Sequence, residues 1–248
     1  MQNNILVVIP TYNERENVPL LYDRIKKAYS AVDILFIDDN SPDGTGNVID
    51  TLTIQDPTVH AIHRAGKLGL GTAYFAAFDY LKTHHYDSII IMDADLTHDP
   101  KYIPAMIAKK DSADIVIGSR YAQGASMHGW GSIRLFFTHF WRGMIKYGLG
   151  LNCDATGAFR VYNTAILKPH IYNNIHAKGF AFQMESLYRF KQCGATIAQV
   201  PIEAHQRIHG VSKLSGKVMR EVAITYFVLL FDRILCVLHI RSKKKNYN

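Results

Sequence analysis

Residues 89–100 read IIIMDADLTHDP, an apolar run that ends in two carboxylates one residue apart. Residues 88–92 have the length and composition of a buried strand. Strand side chains alternate in direction, so Asp93 and Asp95 project to one side as the strand runs out. Unpaired buried charge is costly, which makes two acids here a poor packing choice. They make a good hard-cation site, because magnesium is commonly held by one or two carboxylates together with substrate phosphates. Two readings stand: a divalent metal carried on a nucleotide diphosphate, or a surface turn with solvated acids.

The chain on the amino-terminal side has the periodicity of a parallel α/β sheet. Residues 4–10 and 33–37 are continuous apolar runs, each followed by a polar turn (Thr11-Tyr12-Asn13, then Asp38 to Gly44), and residues 59–63 form a third strand. Helical spacing starts at Asn17 and runs to about Ser30, and a second helix covers residues 45–52. Such alternation brings successive strand ends to one edge, where open parallel sheets bind ligands. Residues 64–72, RAGKLGLGT, lead into a helix over 73–82. Their spacing matches neither a Walker A loop nor G-x-G-x-x-G, so a tight turn beneath the site is the expected role.

Beyond the acidic pair, a helix over 100–109 and a strand over 115–117 lead to Arg120, placed either for phosphate binding or as an ordinary surface arginine. Residues 123–133 are rich in glycine and serine and read as a mobile loop. The aromatic helix over 135–149 suits either the core or a lipid-facing surface. A turn at 154–160, DATGAFR, precedes a short strand, a helix contains Phe182 to Glu185, residues 197–201 form another strand, and residues 206–213 form a basic loop. On its own such a loop reads as a solvated turn; beside a diphosphate site, flexible basic loops often close over it and stabilise leaving-group charge.

A chain of 248 residues can bury a sizeable core. Its net charge of +7 suits phosphate-bearing ligands or an anionic membrane face. No helix-turn-helix, zinc-finger or RNP-type signature is present, so nucleic acid is not an expected partner. Three widely spaced cysteines without C-x-x-C point to neither a disulfide framework nor a zinc site, and a reducing cytoplasm is the simplest compartment. The amino terminus lacks a basic n-region, so no signal peptide is expected.

Taken together, IPTYNERENVPLL, IDDNSPDGTG, HRAGKLGLGTAY, IIIMDADLTHDP, IGSRY, DATGAFRVY, GFAFQME and QRIHGVSKLS resemble the dolichol-phosphate (polyprenol-phosphate) mannose synthase branch of the family-two GT-A glycosyltransferases. The blocks occur in family order across residues 5–215. The resemblance implies an α/β fold of the GT-A, Rossmann-like type, with a mostly parallel central sheet flanked by helices and a carboxyl-terminal helical appendage. It divides the chain into a catalytic domain, 1–215, and an interfacial helix with a basic tail, 216–248. It also implies inverting transfer of mannose from GDP-mannose to a polyprenyl phosphate, with Mg2+ or Mn2+ as cofactor. By motif position, Pro10, Tyr12, Glu14, Ile37 and Asp39 would form the nucleoside pocket, and Asp93 and Ala94 would line the diphosphate. Asp95 and Thr97 would ligate the metal. Arg120, Arg207 and Lys213 would grip the donor phosphates, and Arg120 with Arg134 would meet the lipid phosphate. Asp93, Asp95, Arg120 and Arg207 are the implied catalytic set.

Two departures fall on the acceptor side. The family often shows Ser-Arg-Gly shortly after the Arg134 position, where this chain has Thr138-His139-Phe140, and DATGAFR replaces the commoner D-L-T-G-G-F-R. Another donor such as UDP-glucose, another acceptor, a silent sugar-nucleotide binding module and a nucleotidyltransferase are the competing readings. The nucleotidyltransferase would carry a glycine-rich basic signature where this chain has Thr11 to Glu14.

Residues 222–240 are apolar nearly all round, but Asp232 and Arg233 would each cost about 2.5–3.5 kcal/mol at a bilayer centre. A helix packed on the catalytic domain or lying in the membrane interface is therefore expected rather than a span. Four cations within 241–245 suit either an anionic leaflet or a solvated disordered tail. The expected location is the cytoplasmic face of a membrane, peripherally bound, with a membrane-anchoring subunit as an optional partner.

Overall fold

The computed structural model describes residues 4–127, 132–204 and 216–238; the side chains of 127, 132–134 and 237 are outside that description. Along the first half run β1 (Ile5–Thr11), α1 (Asn17–Ala28), β2 (Asp33–Asp38), α2 (Thr45–Gln55), β3 (Val59–His63), α3 (Leu70–Tyr80), β4 (Ser88–Ile91), α4 (Ile103–Ile107) and β5 (Ile115–Ser119). Then follow β6 (Ser126–Met127), α5 (Ser132–Met144) with a π-helical continuation Ile145–Leu149, β7 (Arg160–Asn163), α6 (Pro169–Tyr172), α7 (Phe182–Gln192), β8 (Ile197–Pro201), β9 (Glu203–Ala204) and α8 (Gly216–Val237).

Seven strands form one sheet in the order β3-β2-β1-β4-β7-β5-β8, and β6 pairs with β9 apart from it. Helices cover both faces, which is why the strand sequences are apolar without alternation. Leu6, Val8, Leu35, Ile37, Ile89 and Ile91 pack on the side of α3, α7 and α8. Their neighbours Ile5, Val7, Ile34, Phe36 and Ile90 pack on the side of α1 and α2. With both faces apolar, a one-residue slip would not expose the core, so the polar strand ends have to fix the register. Thr11 pairs with Asp38 across β1 and β2, its hydroxyl donates to Asp38 Oδ1 at 3.1 Å, and the Asp39 N–H donates to the Thr11 carbonyl.

The sheet is parallel except at β7, which runs antiparallel between β4 and β5. An antiparallel strand starts at the edge where its neighbours end. The turn before β7, residues 154–159, therefore sits beside the carboxyl ends of β4 and β5, bringing Asp154 to Arg120 and Phe159 to His98.

Two of the three glycines in 64–72, Gly69 and Gly71, serve close approach to the 177–178 backbone, where the sequence suggested a tight turn; a Cβ at Gly66 would meet nothing within 4 Å. The Gly71 N–H donates to the Lys178 carbonyl at 2.8 Å, and a Cβ at Gly71 would fall 2.7 Å from the Ala177 carbonyl oxygen and 2.9 Å from a Phe182 ring carbon. Gly71→Ala must displace backbone, at a cost of roughly 1–3 kcal/mol. The expected result is a melting temperature lower by several degrees; an unchanged value would show that the contact yields freely.

Helix α8 packs on the rest of the chain rather than beside it. Tyr226 and Leu229 belong to the core on the α7 side. Asp232 accepts from Arg189 of α7 at 2.9 Å, and Arg233 donates to the Tyr147 and Gly148 carbonyls at 3.0 and 2.7 Å. The two charges that spoke against a span are thus turned inward. Among the described residues no helix is long and apolar enough to cross a membrane. The expected boundary at residue 215, the loop 206–213 and the basic tail lie outside the described residues.

Candidate active site

Among the described residues, three other than glycine have positive φ: Asn13 (58°), Asn40 (55°) and Leu96 (61°). They follow the ends of β1, β2 and β4, adjacent to Tyr12, Asp39 and Asp95. Asparagine tolerates this conformation, whereas for leucine it stores strain of about 1–2 kcal/mol. Strain gathered at one sheet edge is a mark of a functional site.

The kink at Leu96 folds the acidic pair into a compact loop. Asp95, buried, accepts on Oδ1 from the Thr97 hydroxyl at 2.6 Å and the Thr97 N–H at 3.2 Å. Asp93 is partly exposed, and its N–H donates to His98 Nδ1 at 3.0 Å. That bond makes Nδ1 an acceptor, which assigns His98 the neutral Nε2–H tautomer. The His98 ring stacks on Phe159, 5.3 Å between centroids.

Two clefts meet at this loop. The smaller, about 520 Å³, is lined by Pro10, Tyr12, Glu14, Asp39, Asp93, Ala94 and Asp95 from the strand ends, with Lys67, Lys178 and Lys217 around them. The larger, about 760 Å³, is lined by Asp93, Thr97, His98 and Arg120 at one end. Tyr121, Arg142 and the apolar Phe137, Trp141, Met219 and Val222 line the rest. Asp93 lines both. Residues 216–222 of α8 also reach both clefts, through Val218.

In the smaller cleft the acids are tied to the scaffold. The Arg64 Nε donates to Asp39 Oδ1 at 2.6 Å and its NH2 forms an ion pair with the same oxygen, while NH1 donates to Thr72 and NH2 to the Gly69 carbonyl. Burial pushes the Asp39 carboxyl up, against the pull of Arg64 and a hydrogen bond from the Leu68 backbone. Glu14 accepts from the Asn17 amide at 2.7 Å, and Lys67 lies over the Tyr12 ring at 4.1 Å. Asp39 thus secures the glycine-rich loop as well as facing the cleft.

In the larger cleft Arg120 is held by Asp154, which is fully buried. Asp154 Oδ2 accepts from the Arg120 Nε at 2.8 Å and N–H at 3.1 Å; Oδ1 accepts from NH2 at 2.7 Å and from the Gly157 N–H at 3.0 Å. Arg120 NH2 also donates to Thr156 at 2.8 Å. Burial favours the neutral acid, yet Arg120 and these bonds hold the Asp154 carboxyl below the usual carboxylate range.

The structure therefore gathers eight of the residues singled out in the sequence: Pro10, Tyr12, Glu14, Asp39, Asp93, Ala94, Asp95 and Thr97 at the strand-end loops. Arg120 lines the larger cleft and not the smaller. Ile37 differs: its side chain is fully buried in the core beneath the site and lines neither cleft. Arg207 and Lys213 lie outside the described residues, as does the side chain of Arg134, whose backbone is on α5. Lys67 stood in the quoted glycine-rich stretch, but nothing local marked it for Tyr12. Asp154 and Arg142 become visible only through β7 and α5.

The fold is an α/β domain whose site lies at the carboxyl ends of its parallel strands. Residues 6–171 match Glycosyl transferase family 2, and the chain belongs to that family and is a glycosyltransferase. It is similar to an undecaprenyl-phosphate mannosyltransferase of Micrococcus luteus, 39% identical over 223 residues, covering 89% of this chain and 91% of that protein. A polyprenol monophosphomannose synthase of Mycolicibacterium smegmatis is 40% identical over 219 residues, 87% and 83% of the two chains. Among solved structures, glucosyl-3-phosphoglycerate synthase from Mycobacterium tuberculosis, in complex with Mn2+, UDP and glucosyl-3-phosphoglycerate, superposes with a TM-score of 0.65 at 18% identity, covering 92% and 80%. A mannosyltransferase from Pyrobaculum calidifontis, in complex with GDP-Man and Mn2+, gives 0.58 at 15% identity, covering 94% and 64%. These two likenesses confirm the GT-A fold.

Proposed function

We propose that this chain transfers mannose from GDP-mannose to a polyprenyl phosphate with inversion, and that the smaller cleft takes the donor and the larger the acceptor. The observation that carries this reading is Asp93, which lines both clefts, so that the two substrates meet at the acidic loop. The names of both relatives support the sugar and the lipid phosphate, and the GDP-Man bound to the Pyrobaculum enzyme supports the donor.

Tyr12, Pro10, Glu14 and Asp39 receive the nucleoside, and Asp93 and Ala94 face the diphosphate, with Ile37 supporting them from the core. Asp95 Oδ1 and the Thr97 hydroxyl, 2.6 Å apart, form an all-oxygen pair that fits a hard cation. Among the described residues no cluster of three or more His, Cys, Asp or Glu could hold a metal unaided, which fits a cation completed by donor phosphates. Bound magnesium or manganese supplies neutralisation of the diphosphate leaving group. Arg207 and Lys213 add positive charge to those phosphates, and Arg134 adds it on the acceptor side. Arg120, oriented by Asp154 and Thr156, faces the acceptor phosphate. That phosphate is a monoester with a second pKa of about 6 and is already anionic near neutral pH, so no general base is needed. Direct attack on the anomeric carbon inverts it to a β-linked lipid-phosphate mannose.

The test is a panel of GDP- and UDP-sugars with a polyprenyl phosphate acceptor, with and without manganese. Metal-dependent transfer from GDP-mannose is expected. Transfer from UDP-glucose alone would overturn the donor reading, and donor binding without transfer or hydrolysis would leave a binding module instead.

The same reading includes peripheral membrane attachment. Phe136, Phe137 and Phe140 of α5, Ile224, Phe227, Val228, Phe231 and Ile234 of α8, and Leu238 just after it are exposed. The two helices touch through Trp141 and Tyr226, 5.9 Å between centroids. An exposed apolar surface of this kind, which adjoins the larger cleft through Phe137, suits a bilayer interface. The double variant Phe227→Glu, Phe231→Glu is expected to lose co-sedimentation with anionic liposomes at low salt while keeping turnover of a water-soluble short-chain acceptor. Undiminished sedimentation would reject this face.

A further inference from the structure

We propose that Arg142 is a second cation of the acceptor-phosphate site, an inference that rests on the function proposed above. Arg142 lines the larger cleft from α5, one turn beyond Thr138. Its guanidinium carbon lies 4.7 Å from the centroid of the Tyr121 ring, and that of Arg120 lies 5.5 Å from the same ring. One tyrosine thus carries both guanidinium groups, but their charges are answered differently. Arg120 has the buried Asp154. Among the described residues no carboxylate forms an ion pair with Arg142.

A partly buried cation without an acid beside it, next to a second cation, is an electrostatic excess that an anion relieves. The cleft indicates which anion. Phe137, Trp141, Met219 and Val222 continue its wall as apolar surface. Two guanidinium groups at one end and apolar walls at the other fit a phosphate monoester on an apolar chain. Guanidinium suits this task because its planar fork engages phosphate oxygens in pairs. The sequence departure on this helix then has a physical meaning. His139 stands where the resembled enzymes often carry arginine, and Arg142 supplies a guanidinium three residues on, along the same side of the helix.

The experiment measures binding of farnesyl phosphate, farnesol and inorganic phosphate to the full chain by calorimetry, with GDP plus manganese as the donor-side control. For Arg142→Met, which keeps a long apolar stem over Tyr121, farnesyl phosphate binding is expected to weaken about tenfold to hundredfold, the range for hydrogen bonds to charged groups. GDP binding should stay within about twofold, and in turnover the acceptor KM should rise with kcat held. Arg142→Lys should restore part of the affinity, since a point charge lacks the fork. Unchanged farnesyl phosphate affinity in Arg142→Met would overturn the inference, as would equal wild-type binding of farnesol and farnesyl phosphate. An equal loss of GDP binding would mark Arg142 as structural and overturn it too. Inorganic phosphate binding as tightly as farnesyl phosphate would overturn the lipid as the source of the phosphate. A wild-type chain that binds farnesyl phosphate through Arg142 yet transfers no mannose supports the inference and removes the mannosyl-transfer reading instead.

Discussion

Asp95→Ala is expected to reduce transfer by about 10³-fold or more, the scale of losing a group that stabilises developing charge. The carboxylate sits at the point where the β4 loop meets the smaller cleft, and its Oδ1 is already paired with the Thr97 hydroxyl. Removing it deletes one half of the oxygen pair and leaves the other without its fixed neighbour. The fold should survive. The two hydrogen bonds lost to Thr97 are local to the loop, and an alanine there frees Leu96 to relax from its φ of 61°. A variant that melts within a few degrees of wild type but loses manganese-dependent GDP affinity together with turnover would bear out the assignment. Wild-type turnover at saturating donor would sink it. Thr97→Ala should fall between the two, because the carboxylate remains.

Much of the sheet was legible because the physics is local. β3 and β8 occur at the bounds expected, and β1, β2, β4 and β5 within two residues, since strands covered on both faces leave long apolar runs. The direction of β7 was not legible. Val161 and Tyr162 read as a strand, but nothing in them says that it runs against its neighbours, and that reversal is what carries Asp154 to Arg120 across 34 residues. α6, β6 and β9 are two to four residues long, too short for any periodicity to show.

The site was legible in its motifs and not in its division of labour. Arg120 read as a cation for donor and acceptor alike; the structure puts it in the larger cleft alone. Arg142 was hidden in a helix that read as core or lipid-facing, because its meaning depends on Tyr121 from another loop. Asp232 and Arg233 argued against a span, but their partners, Arg189 and two carbonyls, belong to α7 and the π-helical turn.

Asp154→Asn is the other large effect, and it tests how Arg120 is held. Oδ2 accepts from the Arg120 Nε and N–H, and Oδ1 from the Arg120 NH2, the Gly157 N–H and, at 3.5 Å, the Thr156 hydroxyl. Five donors converge on two acceptors. An amide has only one acceptor, so either orientation turns its NH2 toward at least two of those donors. The substitution also leaves the Arg120 charge without its partner at a site where Asp154 is fully buried. Breaking a buried pair in this way costs about 3–5 kcal/mol, which lowers the melting temperature of a chain this size by on the order of 10 °C. Acceptor-dependent turnover should fall further than GDP binding, since Arg120 does not line the donor cleft. The pH dependence separates charge from shape. Because the folded carboxyl is held below its ordinary value, its contribution is complete above the unfolded value of about 3.9 and is lost as pH falls through the folded one. The melting difference between wild type and Asp154→Asn should therefore be constant from pH 7 to about 5 and narrow below about 4. A difference that stays the same down to pH 3 would mean that Asp154 acts through packing alone, and that Arg120 does not need its charge to stay in place.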